Sequence, residues 1–87
     1  MKKEKPGFVY ILECSDQTLY TGSTTDPEKR LHAHNNTKNG AKYTRARRPV
    51  KIVYQEKLTN LPTAQKREAE IKKLSRIKKL QLINLSK

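Results

Sequence analysis

The chain predicts an α+β domain, and three observations carry that prediction. Residues 8–14 and 18–23 are runs rich in β-branched and aromatic side chains, separated by the turn-forming Ser15-Asp16-Gln17. Two segments carry helix signatures: a cap followed by proline at 25–28, and an apolar stripe of helical spacing over 61–74. A third strand-like run, 50–58, stands between them and contains Ile52, Val53 and Tyr54. A chain of 87 residues is expected to be one domain, residues 1–87, with its core over about 7–80. At this length only about 60% of the unfolded surface is buried, so the core is small.

Residues 1–6 carry three lysines, Glu4 and Pro6 and read as a frayed terminus. Residues 8–14 are almost continuously apolar, as expected of a strand buried on both faces. Together with 18–23 they form a hairpin whose loop length decides the geometry. A three-residue loop pairs Leu12 with Tyr20 and Tyr10 with Gly22, which places both tyrosines on one face as diagonal neighbours. A two-residue loop slips every pair and separates them. We expect three residues, although Gln17 is a poor substitute for the glycine such a loop favours at its left-handed position.

Thr25-Asp26-Pro27-Glu28 starts a helix that runs to about Asn35, with a capping oxygen, proline in the first turn and acid near the N-terminus. Arg30 and His34 lie four apart on one of its faces. Leu31 and Ala33 are its only apolar residues, so weak anchoring is expected. Residues 35–51 read as a loop containing Lys38, Lys42, Arg45, Arg47, Arg48 and Lys51, with Tyr43 interleaved and no acid. Leu74, Ile77, Leu80 and Ile83 keep a spacing of three, which drifts around a helix of 3.6 residues per turn. With Ser75 available as a cap, the reading is a break near 74–75 and a separate helix to about Leu85.

The formal net charge is +12, from 20 Lys+Arg against 8 Asp+Glu. Such an excess implies a polyanionic partner: nucleic acid first, a ribosomal or membrane surface next. The acid-free segment 35–51 is its expected contact, through Lys38, Lys42, Arg45, Arg47 and Arg48. The sequence shows no signal peptide and no apolar run long enough to span a bilayer, so an intracellular, cytoplasmic location is expected. The single cysteine, Cys14, cannot form an internal disulfide and reads as a small buried hydrophobe.

Glu68 is the residue out of place. On a helical wheel it falls inside the arc of Leu61, Ala64 and Ile71, while Glu70 points the other way with the lysines. A carboxylate in an apolar stripe needs a cation. That cation is either a hard divalent metal, Mg²⁺ or Mn²⁺, completed by waters and phosphate, or a lysine or arginine of the chain, unless the side chain snorkels past the edge of the stripe. No Cys/His cluster has zinc spacing, and Gly7, Gly22 and Gly40 are isolated rather than grouped in a phosphate loop. Singly, a strand tyrosine, a helix histidine and a helix arginine are ordinary residues.

As a set they are not. Phe8-Val9-Tyr10, then Tyr20-Thr21-Gly22, Arg30, His34 and a helical Glu68 resemble the GIY-YIG nuclease superfamily, from about Phe8 to Leu80. The resemblance is closest to its small stand-alone bacterial members, the UPF0213-like group. More distant kin include the incision subunit of nucleotide excision repair, intron-encoded homing endonucleases and some restriction enzymes. It implies a small three-stranded antiparallel sheet flanked by helices. It also implies a catalytic centre of Tyr10, Tyr20, Arg30, His34 and Glu68. Tyr20, or Tyr10 beside it, orients or deprotonates the attacking water; His34 assists as base; Arg30 binds the scissile phosphate; Glu68 ligates a single Mg²⁺ or Mn²⁺. Phe8 stands where the family has glycine, Thr21 where it has an aliphatic residue, and Ser23 where repair-type members carry lysine.

The leading expectation is thus a Mg²⁺- or Mn²⁺-dependent endonuclease acting on DNA rather than RNA, repair-related or structure-specific, as a monomer or weak homodimer. The alternatives are a non-catalytic nucleic-acid-binding module on the same scaffold and an RNA- or ribosome-associated basic protein. All three bind with strong salt dependence, and only cleavage separates them.

Overall fold

The computed structural model describes residues 5–38 and 40–86. Among them the chain forms, in order, β1 (Gly7–Glu13), β2 (Leu19–Thr24), α1 (Pro27–Asn36), α2 (Lys42–Arg45), β3 (Lys51–Leu58), α3 (Leu61–Lys72) and α4 (Arg76–Leu85). The expected fraying falls mainly on residues 1–4, outside the described residues. The strands form one antiparallel sheet in the order β2-β1-β3. β1 lies in the middle, which explains its unbroken apolar run. Val9 and Ile11 face α3 and α4, while Tyr10 and Leu12 face α1 and the segment after it.

The hairpin loop has three residues. The Cys14 N–H donates to Thr18 O at 2.9 Å, and the Gln17 N–H donates to Cys14 O at 2.9 Å. Gln17 takes the left-handed conformation at φ 69°, where glycine is preferred. Asp16 stiffens the turn, its Oδ1 accepting from the Thr18 N–H at 3.1 Å and the Thr18 hydroxyl at 2.6 Å. The resulting register pairs Leu12 with Tyr20 and Tyr10 with Gly22. On the other side of β1 the pairing shifts between Ile11 and Leu12, so that Val53 and Tyr54 both pack on the α3 side.

Two apolar clusters sandwich the sheet. One joins Val9 and Ile11 to Ala64 and Ile71 of α3 and Ile83 of α4; the other joins Tyr10, Leu12, Cys14 and Val50, with Tyr20, Leu31 and Ile52 against them. Cys14 is buried there with a free thiol. The chain breaks between α3 and α4, where Ser75 Oγ caps the second helix by accepting from the Lys78 N–H at 3.2 Å. The drift expected of a spacing of three is seen at Ile77, which is 70% exposed. Each step of three lags about 60° on a helix. With Ile83 and Leu80 turned inward, Ile77 is carried out to solvent.

Two expectations about the middle of the chain need correction. Residues 35–51 are not all loop: α2 lies within them, folded back tightly enough on α1 that a Cβ at Gly40 would sit 2.6 Å from Ala33 O. Nor is α1 weakly held. Its start is capped by Asp26 Oδ1, which accepts from the Lys29 N–H at 3.1 Å. Its fully buried residue is His34. Asn35 exchanges two hydrogen bonds with the Val50 backbone, at 3.0 and 2.8 Å. Arg48 donates to the carbonyls of His34 and Thr37, both at 2.6 Å. Polar contacts with the following segment replace the missing apolar face.

Candidate active site

β1 and β2 position the two tyrosines on one face of the sheet, and α1 brings Arg30 and His34 over that face. The Tyr10 phenol crosses bare backbone: a Cβ at Gly22 would stand 2.5 Å from its hydroxyl oxygen. That oxygen lies 2.9 Å from His34 Nε2. On the other side of the ring, Nδ1 lies 2.8 Å from Thr44 Oγ1, and the Thr44 hydroxyl donates to Ala41 O at 2.9 Å. A hydroxyl has one proton. With it given to Ala41 O, the Thr44 oxygen accepts from Nδ1–H. Nε2 is then the acceptor for the Tyr10 O–H.

The electrostatics agree with a neutral pair. Burial, then the positive charges of Arg30 and Arg48, lower the His34 pKa from 6.5 to about 4. Burial also dominates at Tyr10, whose pKa rises to about 12 despite the opposing hydrogen bond and charge of Arg30. Arg30 therefore faces the same phenol oxygen that points its proton at His34. Tyr20 is the half-exposed partner. Its ring meets His34 edge-on at 5.3 Å and stacks on Tyr43 at 5.9 Å. The Arg47 guanidinium lies over the Tyr43 ring, 3.9 Å from its centroid.

Glu68 approaches from the other layer. It belongs to α3, which packs on the opposite face, and meets the edge strand β2 at Ser23. The Ser23 hydroxyl donates to Oε1 at 2.5 Å, and Lys72 Nζ lies 2.7 Å from Oε2. The Glu68 charge still acts on Tyr10, and Lys72 is within reach of Tyr20. Of the two cations expected for Glu68, the one present is lysine. Its hydrogen bond to Glu68 is the main reason the Lys72 pKa is raised.

The donor set at Glu68 also fits a divalent ion. Its side chain is 20% exposed, one oxygen is fixed by Ser23, and the other already carries a cationic group whose own side chain is 52% exposed and free to leave. Among the described residues no group of three or more His, Cys, Asp or Glu could hold a metal. The fit is therefore to an ion that takes one carboxylate and keeps several waters, as Mg²⁺ does.

Four of the five expected residues, Tyr10, Tyr20, Arg30 and His34, thus meet on one face, while Glu68 lies on the α3 side, tied to Ser23 and Lys72. The basic contacts divide. Lys38, Lys42 and Arg45 are exposed. Arg47 is engaged with Asp16 Oδ2 and Tyr43 O, both at 3.0 Å, and Arg48 with the end of α1. Sequence reasoning noted Tyr43 and Ser23 without their partners, Tyr20 and Glu68, and missed Thr44 and Lys72. Lys72 alone left a signal, lying four residues after Glu68 on one helix.

The model of the GIY-YIG catalytic domain matches residues 6–81. The chain is 63% identical over 76 residues to a UPF0213 protein of Syntrophus aciditrophicus, covering 87% of each. It is 60% identical over 77 residues to one of Clostridium perfringens, covering 88% of this chain and 82% of that one. Its fold is similar to the solution NMR structure of a UPF0213 protein from Bacillus halodurans, with TM-score 0.59 at 45% identity, over 92% of this chain and 84% of that one. It is also similar to an E. faecalis protein solved by NMR, with TM-score 0.63 at 44% identity, over 98% of this chain and 90% of that one.

Proposed function

The chain belongs to the GIY-YIG family, and from that premise we propose that it is a Mg²⁺- or Mn²⁺-dependent endonuclease hydrolysing phosphodiester bonds in DNA. The observation that carries the reading is the Tyr10–His34 hydrogen bond of 2.9 Å, with Arg30 against the same phenol oxygen. A phenol held at about 12 is a poor base alone. It need not become a phenolate if it passes its proton to His34 Nε2 while taking one from water. Arg30 binds the scissile phosphate, which cancels the charge that depresses His34 in the free protein and makes the imidazole a better proton acceptor. Tyr20, held between His34 and Tyr43, orients the attacking water. Glu68, aligned by Ser23, would hold the divalent ion, which when bound supplies Lewis-acid stabilisation of the departing 3′ oxygen. Lys38, Lys42 and Arg45 contact the backbone of the substrate.

The Glu68–Lys72 ion pair is the one observation that favours the second reading, a binding module that keeps the scaffold without cleaving. The two separate on a panel of labelled duplex, branched and single-strand-containing DNA, with matched RNA, incubated with Mn²⁺ or with chelator. Metal-dependent nicking of DNA is expected. Tight binding to the whole panel with no nicking would establish the binding module instead.

A further inference from the structure

α2 is one turn long, yet it touches both tyrosine systems. Tyr43 stacks on Tyr20, and Thr44 reaches the imidazole that faces Tyr10. Thr44 and His34 are both fully buried. Lys42 and Arg45, on either side, are exposed. The Thr44 hydroxyl is itself fixed: it donates to Ala41 O, the N-cap carbonyl of its own turn, which the N–H groups of Thr44 and Arg45 also reach at 3.1 Å. The turn is tied down further through Arg47, which binds Asp16 in the hairpin loop.

We infer that Thr44 is a positioning residue for this reaction, holding His34 as the Nδ1–H tautomer so that Nε2 receives the Tyr10 hydroxyl proton. The inference rests on the endonuclease reading and deepens it. In the opposite tautomer Nε2–H would donate to Tyr10, and the relay from water through the phenol to the imidazole would have no acceptor. Adopting it would also require the Thr44 hydroxyl to leave Ala41 O and donate to Nδ1. The same short turn carries the exposed Lys42 and Arg45, so substrate contact and proton direction share one element.

The test reads the tautomer directly, from imidazole nitrogen shifts and proton–nitrogen correlations of ¹⁵N-labelled protein. Wild type is expected to show a protonated Nδ1 and an unprotonated Nε2 at His34. Thr44→Val, which keeps the shape and removes the acceptor, is expected to move the tautomer ratio at least several-fold towards Nε2–H and to lower kcat on the cleaved DNA. Thr44→Ser is expected to restore both. A wild-type His34 protonated at Nε2 overturns the inference whether or not the valine variant folds, and so does an unchanged ratio in Thr44→Val. A wild type that cleaves nothing but shows the Thr44-dependent tautomer overturns the endonuclease reading and supports Thr44 as the residue that sets the imidazole.

Discussion

Replacing Gly22 by alanine asks whether the site is built around a phenol lying on bare backbone. The added Cβ would stand 2.5 Å from the Tyr10 hydroxyl oxygen and 2.7 Å from Cζ, where ordinary contact begins at 3.4 Å, so the phenol must retreat by about 0.9 Å. Tyr10 is only 2% exposed, so neighbouring groups resist that movement. A shift of this size cannot leave the 2.9 Å contact with His34 undistorted, and where the bond is lost two polar groups stand unpaired in the core. An unpaired buried group costs about 1–3 kcal/mol and overpacking a similar amount, so Gly22→Ala should lose at least about 2 kcal/mol. Urea unfolding measures the loss, and the His34 imidazole signals report the bond. A variant within about 1 kcal/mol of wild type, with those signals unmoved, would refute the argument.

Three further outcomes are expected. Among the described residues Thr21 Oγ1 is buried without a hydrogen-bond partner, so Thr21→Val should stabilise the fold by about 1 kcal/mol in chemical denaturation; a destabilised variant would show that the hydroxyl has a role. His34 is held at about 4, below its unfolded value of 6.5, so its contribution is complete above pH 6.5 and is lost as pH falls from 6.5 towards 4. The slope is at most about 1.4 kcal/mol per pH unit. Urea unfolding of wild type and His34→Asn between pH 7 and 5 checks this, and equal slopes would contradict it. Lys72→Met removes the ammonium from Glu68 and should tighten Mn²⁺ binding several-fold, read by Mn²⁺ electron paramagnetic resonance; unchanged affinity would place the ion elsewhere.

The sheet and its register were legible because alternation and an odd loop leave one pairing that puts Tyr10 and Tyr20 together. The break at Ser75 was legible for a similar reason: a spacing of three cannot persist on one helix. What could not be read was which polar groups lie inside. A helical wheel counts apolar residues, and α1 is anchored instead by a fully buried imidazole whose partners, Tyr10 and Thr44, come from a strand and a turn distant in sequence. Charge likewise does not reveal its partner. Arg48 and Lys42 look alike in the basic segment, yet one binds the end of a helix and the other is exposed. Glu68 was legible as an inward acid needing a cation, and its spacing from Lys72 would have named the one it has. That it lies across the sheet from the tyrosines follows only from α3 packing on the opposite face.

On the endonuclease reading, Glu68 serves chemistry at the tyrosine face rather than merely pairing with Lys72. The most direct measurement compares wild type and Glu68→Gln in the same samples, following Mn²⁺-dependent nicking and equilibrium binding of one DNA substrate. Nicking is expected to fall by at least about a hundredfold, some 2.7 kcal/mol of transition-state stabilisation, while the dissociation constant changes less than about threefold. Equal cleavage by the two proteins, or none by either, would contradict it.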